Sequence, residues 1–263
     1  MADPADLHGR SLLAVFAHPD DESLACGGLL AWCARRGARV SLVCVTDGRH
    51  DQGRSFGERR ARELDAACRE LGVSHLVLLD YEDGMLPWVD QEKLAADIGQ
   101  AIDRLRPDIV ITFDEDGLYG HPDHIAVHER ATAAVAATGH TGPALYYVTI
   151  PPGGMRAVVQ HARETLADQG RDAFAPLRIL GIADPDAFGA CAPAPTVIVD
   201  AAEFAGRKLA AIRCHRSQLN DDALALVSES EAARLLGVEH YRRAEVGSAG
   251  GTFLDRFASV TAD

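Results

Sequence analysis

Two short segments carry the side chains best suited to chemistry, Ala17-His18-Pro19-Asp20-Asp21-Glu22 and Gly120-His121-Pro122-Asp123-His124. In each, a histidine and a second donor stand three positions apart across a proline: His18 with Asp21, and His121 with His124. Residues at i and i+3 share one face of a first helical turn. Proline suits the first helical position because the N–H it lacks has no intrahelical partner there. Histidine and carboxylate donors that leave one position open suit catalytic zinc, which acidifies water toward neutral pH; two histidines and a carboxylate suit Fe(II) as well. The Asp20-Asp21 pair lets one carboxylate serve as ligand while its neighbour accepts a proton. Alone, either aspartate would read as a helix N-cap and His18 as an ordinary loop histidine; their recurrence at two junctions is what points to a metal. His128, one turn beyond His124, reads as a helix-face or supporting residue. His128-Glu129 opens an H-E-x-x-H pattern that fails at Thr132.

These segments need elements to bring them together. Apolar runs at 12–17, 40–45, 75–79, 108–113 and 145–150 read as strands, and periodic stretches at 23–36, 58–71, 92–105, 122–137 and 156–169 as helices. A short strand at 196–199 and a helix at 201–214 follow a loop rich in Pro, Gly and Ala, and the tail beyond Ser217 reads as partly helical. Strands alternating with helices imply βαβ units and a parallel sheet. The expected fold is therefore α/β: a three-layer, doubly wound, mostly parallel, Rossmann-like sheet with a smaller C-terminal lobe. One domain is expected over residues 1–263, its core at about 11–150 and its lobe at about 151–263. Ligands of such sheets bind beyond the carboxyl ends of the strands, where both histidine segments fall.

Composition removes several function classes. A formal charge of −13, with basic residues clustered only as the pairs Arg35-Arg36, Arg59-Arg60 and Arg242-Arg243, leaves no basic face for nucleic acid. Those pairs read as solvated helix faces. Six cysteines without a C-x-x-C pattern read as free thiols in a reducing compartment. A polar N-terminus and the absence of an apolar run long enough to span a bilayer lead us to expect a cytoplasmic protein without membrane association. No G-x-S-x-G, P-loop or G-x-G-x-x-G pattern follows a strand.

The motifs Ala17–Glu22 and Gly120–His124, in this order and at strand ends, resemble the LmbE/PIG-L family of zinc-dependent N-deacetylases, which includes N-acetylglucosaminyl deacetylases. Weaker likenesses are Arg60-x-x-Glu63-Leu64 with Leu71-Gly72-Val73, Asp83-Gly84, and Ala211 to Gln218, so the resemblance covers about residues 12–220. It implies His18, Asp21 and His124 as metal ligands and Asp20 as the general base. It implies that His121 stabilises the oxyanion and protonates the leaving amine, with Asp123 orienting His121 or His124. Tyr119 resembles a loop tyrosine near the oxyanion. Arg54, Asp83 and His215 are the candidate substrate contacts, and Glu22 a support for the first helical turn. The implied reaction is hydrolysis of an N-acetyl group from an amino sugar or glycoside, with Zn2+ as cofactor and a small N-acylated sugar as partner; a homo-oligomer is left open. Two rivals stand beside it: an amidase acting on a larger N-acyl or thiol-conjugate amide, and a non-catalytic protein of the same fold holding a nucleotide or a metal.

Overall fold

The run Ser-Leu-Leu-Ala-Val-Phe has no polar side chain after its first residue, so both of its faces need cover. In the computed structural model, which describes residues 6–257, it forms the central, wholly buried strand β1 (Ser11–Phe16). On one side of β1 lies β2 (Arg39–Thr46) and then β3 (His75–Tyr81); on the other lie β4 (Ile109–Phe113) and β5 (Ala144–Thr149). These five strands are parallel, with Leu12 opposite Val40 on one side and Ile109 on the other. The sheet then continues into β7 (Val238–Gly247), antiparallel to β5, and ends at β6 (Val197–Asp200).

Helices cover both faces. α1 (Asp21–Arg35), α2 (Arg54–Leu71) and α7 (Ala205–Cys214) pack together on one side, and α3 (Gln91–Leu105) lies against α5 (Pro122–Ala137) on the other. The short, kinked turn α4 (Gly117–Gly120) precedes α5, while α6 (Arg156–Asp168) and α8 (Glu229–Leu236) belong to the C-terminal part. The doubly wound, mostly parallel sheet expected from the sequence is present. The C-terminal segment read as a smaller lobe adds β6 and β7 to this same sheet and α7 to its helical layer.

Three local expectations need correction. The tail read as partly helical holds α8 but also the ten-residue β7. Its alternation was hidden by Glu239, an acidic residue buried like Tyr241 two positions on. α2 begins at Arg54, four residues before the expected start, because Gly57 is helical and not loop punctuation: a side chain there would strike the Asp47 carboxylate. The basic pairs are not all solvated. Arg60 is buried, and Arg242 and Arg243 lie on β7, where Arg242 pairs with the fully buried Asp114. All six cysteines are free thiols. Among the described residues no helix is long and apolar enough to cross a membrane.

Candidate metal and catalytic site

Strand order reverses between β1 and β4, because the chain winds outward to β3 on one side and to β5 on the other. The crevice beyond the carboxyl ends at such a reversal is the ligand position of an open α/β sheet. β1 runs into His18 and β4 into the turn before His121, so both histidine segments open on this crevice. Phe16 and Phe113, the last residues of the two strands, meet edge to face at 4.9 Å, and Phe113 stacks under the His124 ring at 3.9 Å. The strand ends thus form an aromatic floor.

Above it, His18, Asp21 and His124 converge, each offering one donor atom within 4.8 Å of the others, and all three are buried. His18 Nδ1 lies 3.1 Å from His124 Nε2 and 3.5 Å from Asp21 Oδ2, and His124 Nε2 lies 3.2 Å from Asp21 Oδ1. The outward nitrogens are already engaged. His124 Nδ1 donates to the Gly117 carbonyl at 3.1 Å, which leaves the Nε2 lone pair facing the centre. His18 Nε2 is held by Asp83 at 3.0 Å and Asp123 at 3.1 Å.

His18, His121 and Asp123 form a second cluster of similar closeness, but its atoms are committed elsewhere. The Asp123 carboxylate accepts the N–H groups of Gly84 (2.7 Å) and Leu86 (3.0 Å), and its backbone N–H donates to His121 Nδ1 at 3.1 Å. The Asp123 carboxylate therefore steadies His18 and pins the loop after β3, while its contact to the expected partner His121 runs through the backbone N–H. With Nδ1 accepting, a neutral His121 carries its proton on Nε2. Burial, then the nearby His124 and His18, push His121 down to about 4, so it is neutral near pH 7.

Asp20 has a backbone φ of 124°, a conformation side chains rarely tolerate. Two anchors hold it there: its N–H donates to Glu22 Oε2 at 3.0 Å, and its carboxylate accepts from Arg60 Nη2 at 3.1 Å. Arg60 also donates to the carbonyls of Pro19 (2.6 Å) and Gly48 (3.2 Å) and lies 3.5 Å from Asp83. Sequence reasoning gave Arg60 no place in the site; the only signal was its spacing to Glu63. Burial pushes Asp20 up to about 7 despite the opposing Arg60 charge, with Asp21 adding to the rise. Asp21 moves the other way: burial opposes, but His124 and His18 hold it far below the usual carboxylate range. Two adjacent carboxyls are thus driven to different protonation behaviour.

The remaining candidates divide. Tyr119 sets its ring edge-on to His124 and His121 at 5.0 and 5.8 Å. Asp83 reaches the centre through His18 and Arg60. His215 is 1% exposed and pairs with Glu22 at 2.9 Å, so it braces the first turn of α1 from behind. Arg54 is exposed at the first residue of α2 and touches none of the cluster. His128 Nδ1 donates to the Phe113 carbonyl at the end of β4 at 2.9 Å, as a supporting residue would.

The donor set fits a divalent cation. Burial alone would depress His18, yet Asp123, Asp21 and Asp83 together hold it well above its usual value. The pocket therefore has a surplus of negative charge that a cation can answer, and it offers two imidazoles and one carboxylate with ordered outer contacts.

The chain matches the family model described as PIG-L, GlcNAc-PI de-N-acetylase, over residues 13–135. It is 35% identical to the 1D-myo-inositol 2-acetamido-2-deoxy-alpha-D-glucopyranoside deacetylase of Acidothermus cellulolyticus, with 88% of each chain covered. Among solved structures it resembles the N,N'-diacetylchitobiose deacetylase of Pyrococcus horikoshii, with a TM-score of 0.60, 24% identity, and 89% of this chain and 84% of that one covered. It resembles equally the 4-carboxy-2-hydroxymuconate hydratase GalB of Pseudomonas putida KT2440, with a TM-score of 0.61, 18% identity, and 92% and 99% covered. These two likenesses establish the fold, and their different chemistries show that the fold alone does not choose a reaction.

Proposed function

The chain belongs to the PIG-L family, and from that premise we propose that it is a hydrolytic, zinc-dependent N-deacetylase of an amino-sugar glycoside of the N-acetylglucosaminyl-inositol type. The relative from Acidothermus cellulolyticus, similar over most of both chains, supports the substrate class. The single observation that carries the chemistry is the convergence of His18, Asp21 and His124. These three would hold the ion, which when bound supplies Lewis acidity toward the amide carbonyl and toward water.

The protein's own groups do the rest. Asp20, held beside the ligand Asp21 yet bound to Arg60, takes the proton of the attacking water; a base that titrates near neutrality is well matched to that task. His121, neutral and protonated on Nε2, donates to the carbonyl oxygen as it gains negative charge. Asp20 then returns its proton to the nitrogen as the C–N bond breaks, giving acetate and a free amine. This assigns the leaving-group proton to Asp20, since His121 near pH 7 has no second proton to give. Asp123 keeps His18 in register, and Arg60 fixes the direction of Asp20.

Acetate release from N-acetylglucosaminyl-inositol tests this reading, measured before chelation, after it, and after zinc is restored. Turnover that falls and returns supports it. A protein that releases no acetate in any of these states, or one indifferent to chelation, refutes it.

A further inference from the structure

The carbonyl of Pro19 and the N–H of Asp20 belong to one peptide unit, and the protein grips it at both ends. The carbonyl accepts from Arg60 Nη2 at 2.6 Å, and the N–H donates to Glu22 Oε2 at 3.0 Å. The same Arg60 nitrogen reaches the Asp20 carboxylate at 3.1 Å. A turn of this peptide would leave His18 and Asp21 joined, because the His18 N–H donates directly to Asp21 Oδ2 at 2.7 Å. It would take the Pro19 carbonyl off Arg60 and let Asp20 leave its φ of 124° for a commoner one. The direction of the base is therefore separable from the metal donors.

Glu22 does not hold its end unaided. It is 1% exposed, and a buried carboxylate needs charged or hydrogen-bonded partners. Its other oxygen, Oε1, accepts from the Ser23 hydroxyl at 2.6 Å and from His215 Nε2 at 2.9 Å. A carboxylate only accepts, so Nε2 carries the proton. His215 stands at the end of α7, 193 residues from Glu22. Its Nδ1 is buried with no partner among the described residues, which packing alone disfavours, so the reason for an imidazole lies at Nε2. The segment that follows is fixed in turn. The Ser217 N–H and hydroxyl both donate to Glu63, at 3.1 and 2.6 Å, and Glu63 stands on α2 one turn beyond Arg60. One circuit of contacts thus joins the two grips. We propose that His215 is a positioning residue for the base: by holding Glu22 it keeps the Pro19–Asp20 peptide turned, and with it the Asp20 carboxylate. The proposal rests on the reading of Asp20 as that base.

Two amides test it in the full, metal-loaded chain. His215→Gln brings a nitrogen to the Nε2 position, while the side chain of His215→Asn is too short to reach Glu22; both place an amide where a polar ring is already buried. His215→Asn lowers kcat for acetate release at least about tenfold, with KM and metal content kept at wild-type values. The loss persists at high pH, because ionising a misdirected carboxylate does not redirect it. His215→Gln keeps kcat within about threefold of the wild type. The Asp20 amide proton, followed by hydrogen exchange, exchanges at least about tenfold faster in His215→Asn than in His215→Gln. Ser217→Ala, at a half-buried position that folding tolerates more readily, loosens the same segment and speeds that exchange over the wild type. Equal kcat in the two His215 variants overturns the proposal. So does a loss in His215→Asn that appears as a higher KM or as missing metal, or that vanishes at high pH, or an Asp20 amide whose exchange is indifferent to both His215→Asn and Ser217→Ala. Wild-type protein that releases no acetate strikes the deacetylase reading instead, and the exchange comparison then decides the clamp by itself.

Discussion

Replacing Arg60 with methionine removes the guanidinium that faces both Asp20, at 3.1 Å, and Asp83, at 3.5 Å. An opposite charge at this range lowers a carboxyl by about 1–3 pH units, so its loss lifts Asp20 from its value of about 7 by about that much. The base works only as carboxylate, which exists above this value. The acid limb of the pH–rate profile for acetate release therefore moves to higher pH by about 1–3 units, while turnover well above it recovers toward the wild-type plateau. Stability falls too, because Arg60 is 5% exposed and its buried partners lose a charged donor. Breaking a buried pair costs about 3–5 kcal/mol, which lowers the melting temperature by about 6–20 °C in a domain of this size. Arg60→Lys restores a charge without the planar fork that reaches the carbonyls of Pro19 and Gly48; it recovers part of the pH shift and little of the melting temperature. A folded Arg60→Met protein whose acid limb stays at the wild-type pH refutes the assignment of Arg60 to Asp20.

Three further outcomes follow from the same contacts. Gly48→Ala places a methyl group against the Arg60 guanidinium at a backbone φ of 68°, so its pH–rate profile shifts in the same direction as that of Arg60→Met, read in the same assay. Asp123→Ala removes one of the two carboxylates on His18 Nε2 and frees the loop through Leu86, and it weakens metal affinity about 10–100-fold in chelator competition. His121→Gln retains the ion but loses about 10²–10³ in kcat, with metal content and turnover measured on one preparation.

The sequence carried the fold where apolar runs were continuous. β1 and β4, buried on both faces, read plainly as strands, and the histidine segments after them placed the crevice. The two histidine segments were legible because proline, spacing and strand position all agreed, and the structure brings His18, Asp21 and His124 together. What escaped notice depended on distant partners. Arg59 and Arg60 are adjacent in the chain, yet a helix turns about 100° per residue, so one faces water while the other enters the site. Glu239 broke the alternation of β7, and the N–H groups of Gly28 and Leu29, about two hundred residues earlier, together with Lys208 and the Tyr241 hydroxyl, explain how it is buried. Asp123 shows the same limit: position marked it as a supporting carboxylate, but that the carboxylate reaches His18 follows from how the corners after β1 and β4 meet.

The most direct test of the whole account is the metal content of purified wild-type, His18→Ala, His124→Ala and Asp20→Asn proteins, measured together with acetate release. The account predicts about one ion per chain in the wild type and in Asp20→Asn, turnover lost in Asp20→Asn, and both ion and turnover lost in the two histidine variants. A full complement of metal in His18→Ala and His124→Ala, or undiminished turnover in Asp20→Asn, would contradict it.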